Sequence, residues 1–153
     1  MKLSSPAFEH GEKIPAEYTC DGKNVNPELH IADVPKEAKS LALIMDDPDV
    51  PEVVRSDRMW VHWIIFNLSA ATKILAKNAQ PDGLPGLNTG GEMKYHGPCP
   101  PDRQHRYFFK LYALDTILNL PRGVTKAELE KAMQDHVLEK TELMGLYNRR
   151  IDK

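Results

Sequence analysis

The chain has 153 residues and a mass of 17.3 kDa, a size that fits one compact domain better than two. Its 20 basic and 22 acidic side chains nearly balance, which argues against a polybasic nucleic-acid-binding surface and against an acidic disordered tail. The 12 prolines outnumber the 9 glycines, and because proline interrupts helices this composition argues against an all-helical bundle. We therefore expect residues 1–153 to form a single domain.

Strand patterns dominate the sequence. Three runs of apolar, β-branched and aromatic residues, each bounded by polar or turn residues, predict buried strands at residues 40–45, 60–68 and 107–114. We expect these three strands to be neighbours in one sheet. Shorter runs predict further strands at residues 2–5, 29–31, 74–77 and 142–147.

One helix is predicted near the C-terminus. Thr125 and Glu128 form a capping-box sequence, and apolar residues then recur at helical spacing from Leu129 to Val137. This pattern predicts a helix that ends near Leu138, with His136 on its half-buried face.

Residues 78–106 are rich in glycine and proline and predict irregular backbone. The stretch is longer than the roughly 12 to 15 residues beyond which irregular loops are usually functional or disordered. Because it precedes a strong strand, we expect a functional site beside it.

The sequence also suggests a cellular location. No segment approaches the roughly 18 consecutive apolar residues of a membrane-spanning helix, and the first 15 residues lack the apolar core of a secretory signal. We therefore expect a soluble, cytoplasmic protein. Cys20 and Cys99 could pair or remain reduced, and the apparent lack of a signal favours thiols.

Polar side chains interrupt the three strong strands or lie at their ends. Asp47 follows the first strand, His62 lies inside the second, and His105 and Tyr107 open the third. If these strands pair, their polar groups converge, and the loop at Gly97 can arch over them. Imidazole, phenol and backbone N–H groups are donors, and a carboxylate can orient one imidazole, so this set suits a phosphate or carboxylate ligand.

Other interpretations of these residues remain open. His62 could be an ordinary core histidine, and the segment from Asp47 to Pro51 could be only a turn. Two histidines with Asp47 or Asp49 have the residue types of a metal site but not its tight local spacing. A phosphoester hydrolase could use His105 as the general acid, with Asp47 and His62 acting together as the orienting base. No nucleophile, nucleotide or metalloprotease motif is present, so we expect neither turnover nor a cofactor.

Several separated motifs, in order, resemble the phosphatidylethanolamine-binding protein family, also called Raf kinase inhibitor-like proteins. They are DPDVP at residues 47–51, W-x-H at 60–62, GP at 97–98 and HRY at 105–107. Longer segments are similar in particular to its bacterial and archaeal YbhB/YbcL branch: YTCDGKNVNPEL at 18–29, YHGPCPP at 95–101, HRYFFKLYALD at 105–115 and the closing ELMGLYNR.

The resemblance implies a mainly β fold, a sandwich of a large and a small antiparallel sheet with one or two peripheral helices. It also implies a pocket at one end that binds phosphate-like or carboxylate groups, including phosphoethanolamine headgroups. The family's pocket groups fall on Asp47, His62, Gly97, His105 and Tyr107, and its pocket walls fall on Pro51, Trp60 and Pro98.

The resemblance and the residues together predict a regulatory small-anion-binding protein whose affinity falls as histidine loses its proton. Inhibition of a kinase or protease through the proline-stiffened surface loop, and phosphoester hydrolysis in the same pocket, are the alternatives. The C-terminal helix of animal relatives has no counterpart in the sequence, which would expose Leu84, Leu87 and Met93. We therefore expect a homodimer with residues 78–106 at or near its interface.

Overall fold

The computed structural model describes residues 1–149. A 3₁₀ helix spans Ala16–Tyr18, and α1 spans Lys126–Met133. The strands are β1 (Lys2–Ser4), β2 (Leu29–Ala32), β3 (Ser40–Asp47), β4 (Trp60–Leu68), β5 (Ile74–Leu75), β6 (Leu84–Pro85), β7 (His105–Leu114) and β8 (Val137–Tyr147).

The strands form two antiparallel sheets, which confirms the expected fold class. The small sheet has the order β1-β2-β5, and the large sheet has the order β6-β4-β3-β7-β8. The predicted adjacency of the three strong strands is confirmed, because β3 pairs with β4 on one side and with β7 on the other. As the central strand, β3 is buried along its whole length, which explains why its sequence is a continuous apolar run.

Two apolar clusters cover the two faces of the large sheet. Alternate residues of β3, such as Leu41 and Leu43, pack against Leu29 and Ile31 of the small sheet. On the other face, residues such as Ile44 pack with apolar side chains of α1 and the segment before it. The small sheet and the helix therefore shield opposite faces of the same sheet.

Antiparallel pairing brings the polar strand ends together. The C-terminal end of β3 lies beside the N-terminal ends of β4 and β7, with Asp47 opposite Trp60 and Asp46 opposite Phe108. One end of the sandwich therefore carries the residues in which the sequence predicted a site.

The predicted end of the helix was wrong. Helix α1 stops at Met133, and Asp135 takes a left-handed backbone conformation with φ 68°. Val137 then pairs with Leu114, and β8 runs from there to Tyr147. Pairing with β7 therefore determines the structure of this segment, although its apolar residues have helical spacing. His136 lies just before β8, beside Asp115, and not on a helix.

The structure decides the state of the two cysteines, which the sequence left open while favouring thiols. Cys20 and Cys99 form a disulfide, with Cα atoms 5.5 Å apart. The same two segments are held together by a hydrogen bond from the Cys20 N–H to the Pro98 carbonyl oxygen, 3.1 Å long. Tyr95 donates its hydroxyl to the Tyr18 carbonyl oxygen across 2.7 Å. Tertiary contacts of this kind bring together two cysteines separated by 79 positions in sequence.

Of the three loop residues that we expected to be exposed to water, only one is exposed. Leu84 and Leu87 are half-buried, and Leu84 packs against the cluster that α1 covers. Met93 is exposed. Within residues 1–149, no helix has the length and apolar character needed to cross a membrane.

Candidate functional site

A cavity of about 240 Å³ opens at the end of the sandwich where β3, β4 and β7 meet. Five of the eight residues predicted for the site line it: Asp47, Trp60, His62, His105 and Tyr107. The chain thus brings together residues from three strands that are up to 60 positions apart in sequence. The other lining residues are Val50, Val54, His96, Cys99, Pro100 and Pro101.

Gly97, Pro51 and Pro98 are not among the lining residues. The Gly97 N–H donates to Oδ1 of Asn24 across 2.7 Å, so it points to the protein and not to a ligand. A Cβ atom at Gly97 would lie 2.1 Å from the Tyr18 carbonyl oxygen. Glycine is required here because the loop packs directly on the backbone after the 3₁₀ helix, a different reason from the expected close approach of a ligand.

A chain of three side chains crosses one wall of the cavity. Nδ1 of His105 lies 2.6 Å from Oδ2 of Asp47, and Nε2 of His105 lies 2.7 Å from Oδ1 of Asp102. Burial raises the pKa of Asp47, although the hydrogen bond from His105 opposes that rise. At Asp102 desolvation is the largest single effect and raises the pKa, but the hydrogen bonds with His105 and with the Arg103 backbone, together with the charge of His105, lower it overall. The imidazole of His105 is therefore held at both ring nitrogens by carboxylates.

The segment after β3 is both a turn and part of the site. Oδ1 of Asp47 accepts the Asp49 N–H at 2.7 Å, the geometry of an Asx turn. Asp49 in turn accepts two hydrogen bonds from the Arg106 guanidinium and one from the Arg106 backbone, and the side-chain bonds lower its pKa. The turn thus fixes the carboxylate of Asp47 that holds His105.

His62 is anchored by one ring nitrogen. Its Nδ1 lies 2.6 Å from the carbonyl oxygen of His96, and because a carbonyl oxygen only accepts, Nδ1 is the donor. The side chain is 3% exposed, and this burial lowers the pKa of His62 to about 4. Within residues 1–149, Nε2 has no hydrogen-bond partner. At neutral pH it presents a lone pair, so the expectation that His62 donates to an anion is revised.

Tyr107 is the second buried polar group of the cavity without a partner. The side chain is fully buried, and its hydroxyl makes no hydrogen bond with the part of the chain that the structure describes. Burial, together with the nearby Asp47 carboxylate, raises the pKa of Tyr107, so the phenol keeps its proton. Its ring packs edge-on against His62, with the centroids 5.3 Å apart.

The sequence interpretation missed several parts of this site. Asp102 had a signal, since it lies three residues before His105 at the end of the proline-rich loop. Val50, Val54, Pro100 and Pro101 had no chemical signal, because apolar residues in loops do not indicate which cavity they line. Cys99 is exposed in the same wall. Its disulfide with Cys20 anchors the loop that carries His96.

A second buried acid lies outside the cavity lining. Asp46 is fully buried, and its Oδ2 is 3.0 Å from Nζ of Lys110 and 2.8 Å from Nζ of Lys126. Lys126 opens α1, so this ion cluster joins the helix to β3 and β7. Within residues 1–149, no group of three or more histidine, cysteine, aspartate or glutamate side chains could hold a metal ion.

Known proteins show the same architecture. The family model described as phosphatidylethanolamine-binding protein matches residues 4–148. The chain belongs to the phosphatidylethanolamine-binding protein family. It is 52% identical to a UPF0098 protein of Chlamydia pneumoniae over 97% of this chain and 99% of that protein. A UPF0098 protein of the archaeon Methanothermobacter thermautotrophicus is 48% identical, again covering 97% and 99% of the two chains.

Two solved structures place this member within its family. A putative phosphatidylethanolamine-binding protein homolog from Chlamydia trachomatis superposes with a TM-score of 0.95 at 51% identity, covering 97% of both chains. YbcL of E. coli superposes with a TM-score of 0.87 at 27% identity, covering 97% of this chain and 98% of its own. The expected resemblance to the YbhB/YbcL branch is thereby confirmed.

Proposed function

We propose that this protein binds a small anion, a phosphate-like or carboxylate group, in the cavity lined by Asp47, His62, His105 and Tyr107. The binding is regulatory and without turnover. What supports the proposal is a pair of buried polar atoms in one cavity wall, Nε2 of His62 and the Tyr107 hydroxyl, that find no partner within the described chain. A buried polar group without a hydrogen bond costs about 1 to 3 kcal/mol, so a bound polar group would stabilise both.

The rim of the cavity suggests how a larger ligand would be held. Val54 and Pro101 line the cavity beside its polar residues, and Val53, which precedes Val54 in the sequence, is 96% exposed. A ligand whose anionic end lies on His62 and Tyr107 would place its remaining part against these apolar side chains. This division between polar end and apolar rim suits an organic monoester or carboxylic acid.

The alternative functions have less support from the site. None of the described residues that line the cavity is a serine, a threonine or a free thiol, so the hydrolase alternative would need an aspartate, histidine or tyrosine as its nucleophile. Inhibition of a kinase or protease would use the loop at residues 95–101, which the disulfide and the Tyr95 hydroxyl tie down. No feature of the loop selects a particular target, and we retain anion binding as the function.

Calorimetry with inorganic phosphate and two matched variants tests the proposal. Tyr107→Phe removes one hydrogen bond to a charged group, worth about 1.5 to 3 kcal/mol, so the affinity should fall by roughly one to two orders of magnitude. Tyr112→Phe is the control, because Tyr112 is a tyrosine on the same strand that does not line the cavity.

Crystals soaked in phosphate or phosphoethanolamine give a second measurement. Electron density for the anion beside His62 and Tyr107 is the expected result. Binding that both variants leave unchanged, or density only at other places on the surface, would refute the site.

A further inference from the structure

We infer that the cavity takes its anion in a protonated form. The bound group carries an acidic O–H that donates to Nε2 of His62, while another oxygen of the same group accepts from the Tyr107 hydroxyl. This inference rests on the proposed function and specifies the protonation state of its ligand: a weak oxyacid bound with one proton, such as the monoanion of a phosphate monoester.

The first argument is the direction of the His62 hydrogen bond. The carbonyl oxygen of His96, 2.6 Å from Nδ1, has no hydrogen to give, so the ring's hydrogen lies on Nδ1. A neutral imidazole has only one N–H, and its second nitrogen is an acceptor. Nε2 is buried and unpartnered, and the side chain is 3% exposed. The structure thus offers an anion a lone pair where a donor was expected.

The surrounding charges do not supply a second proton to His62. Oδ2 of Asp46 binds two lysines, and Asp47 hydrogen-bonds with His105 and with the Asp49 N–H. The Asp46 charge raises the pKa of His62, but the opposing effect of burial is larger. Protonation of a neighbouring imidazole would oppose a charge on His62. Of the described lining residues none is a lysine or an arginine. The titratable groups facing His62 are Asp46 and Asp47 on β3, His105 and Tyr107 on β7, and His96 on the loop.

A fully ionised oxygen against Nε2 would place lone pair against lone pair in a buried site. A hydrogen between the two atoms turns this repulsion into a hydrogen bond. The Tyr107 phenol, which keeps its own proton, supplies the complementary donor. One acceptor beside one donor matches a P(=O)–OH group, and a phosphate monoester carries that proton below its second pKa of about 6.

Methyl phosphate and methyl sulfate provide a pair of probes of similar size. At about pH 5 both are monoanions, but only methyl phosphate carries an O–H. We expect calorimetry to show methyl phosphate binding at least about tenfold tighter than methyl sulfate at this pH. Above about pH 6 its affinity should fall roughly tenfold per pH unit as the O–H ionises. Near pH 7.5, titration in buffers of different ionisation enthalpy should show uptake of close to one proton.

The outcomes separate the inference from the proposed function. If both esters bind with equal affinity, or if both take up a proton, the ligand's own hydrogen is not needed; the inference fails and anion binding stands. If neither ester binds, both fail. Methylammonium as a third probe tests a cation at the same acceptor: tighter binding than either ester would overturn both.

Discussion

Nδ1 of His62 and the carbonyl oxygen of His96 lie 2.6 Å apart, and this contact determines which ring nitrogen faces the cavity. The sequence predicted a histidine that helps an anion by donating and that stops doing so as the pH rises. In the structure the donor is already used by the protein. We still expect tighter binding at lower pH, but the group that gains a proton is the ligand and not the imidazole of His62.

The buried His62 should make stability depend on pH. Its pKa is about 4 in the fold against 6.5 for the ordinary side chain, so between these values the unfolded chain binds more protons. Stability should therefore fall as the pH is lowered from 6.5 to 4, by about 3 kcal/mol in total. The free energy of unfolding of His62→Gln, measured with urea across this pH range, should lack this part of the pH dependence.

The control for this prediction is His30→Gln. His30 is partly exposed and pairs with Glu28, outside the cavity. Equal pH slopes for the wild type and His62→Gln would show that His62 does not resist protonation in the fold.

Gly97 should be intolerant of a methyl group. A Cβ atom there would lie 2.1 Å from a backbone oxygen, which cannot move aside as a flexible side chain could. We expect Gly97→Ala to destabilise the protein by about 1 to 3 kcal/mol, as overpacking does. Gly90→Ala is the matched control, since its nearest neighbour would be 3.4 Å away. Equal thermal unfolding midpoints for the two variants would contradict this packing.

The disulfide should stabilise both the fold and the cavity. Opening a loop with a sequence separation of 79 removes about 4 kcal/mol of stabilisation on the chain-entropy account. Because Cys99 lies in the cavity wall, reduction should also weaken phosphate binding. Denaturation and calorimetry with and without reductant measure the two effects, and Cys20→Ser repeats them without reductant. Unchanged stability would show that the bond does not form in the protein.

The disulfide also bears on location. Disulfides persist mainly in oxidising compartments, so the bond argues against the cytoplasmic location expected from the sequence. Trapping free thiols with an alkylating agent in intact cells would measure the redox state directly. Fully alkylated cysteines would favour a reducing compartment.

The homodimer remains a prediction, and the structure changes its basis. Of the three apolar loop residues on which it rests, Met93 is 40% exposed, whereas Leu84 and Leu87 are half-buried. Light scattering at micromolar concentration should give twice the mass of 17.3 kDa, and Met93→Asp should reduce it. A monomeric mass would reject the dimer, and a dimer insensitive to Met93→Asp would place the interface elsewhere.

The sequence by itself determined the three central strands of the large sheet, β3, β4 and β7, and the cluster of polar residues at their ends. Long apolar runs such as residues 60–68 have few alternatives to a buried strand, and an acid or histidine in such a run is conspicuous. Asp47, His62, His105 and Tyr107 were identified in this way, and antiparallel pairing of β3, β4 and β7 brought them together.

The tertiary structure alone decided what these residues do. Whether His62 donates or accepts depends on a carbonyl 34 positions away, and whether the cysteines pair depends on a loop docking on a distant 3₁₀ helix. The end of α1 likewise depends on a ladder between β7 and β8 that local spacing does not reveal. Hydrogen-bond direction, burial and strand pairing depend on segments that are distant in sequence. Local sequence patterns therefore do not predict them.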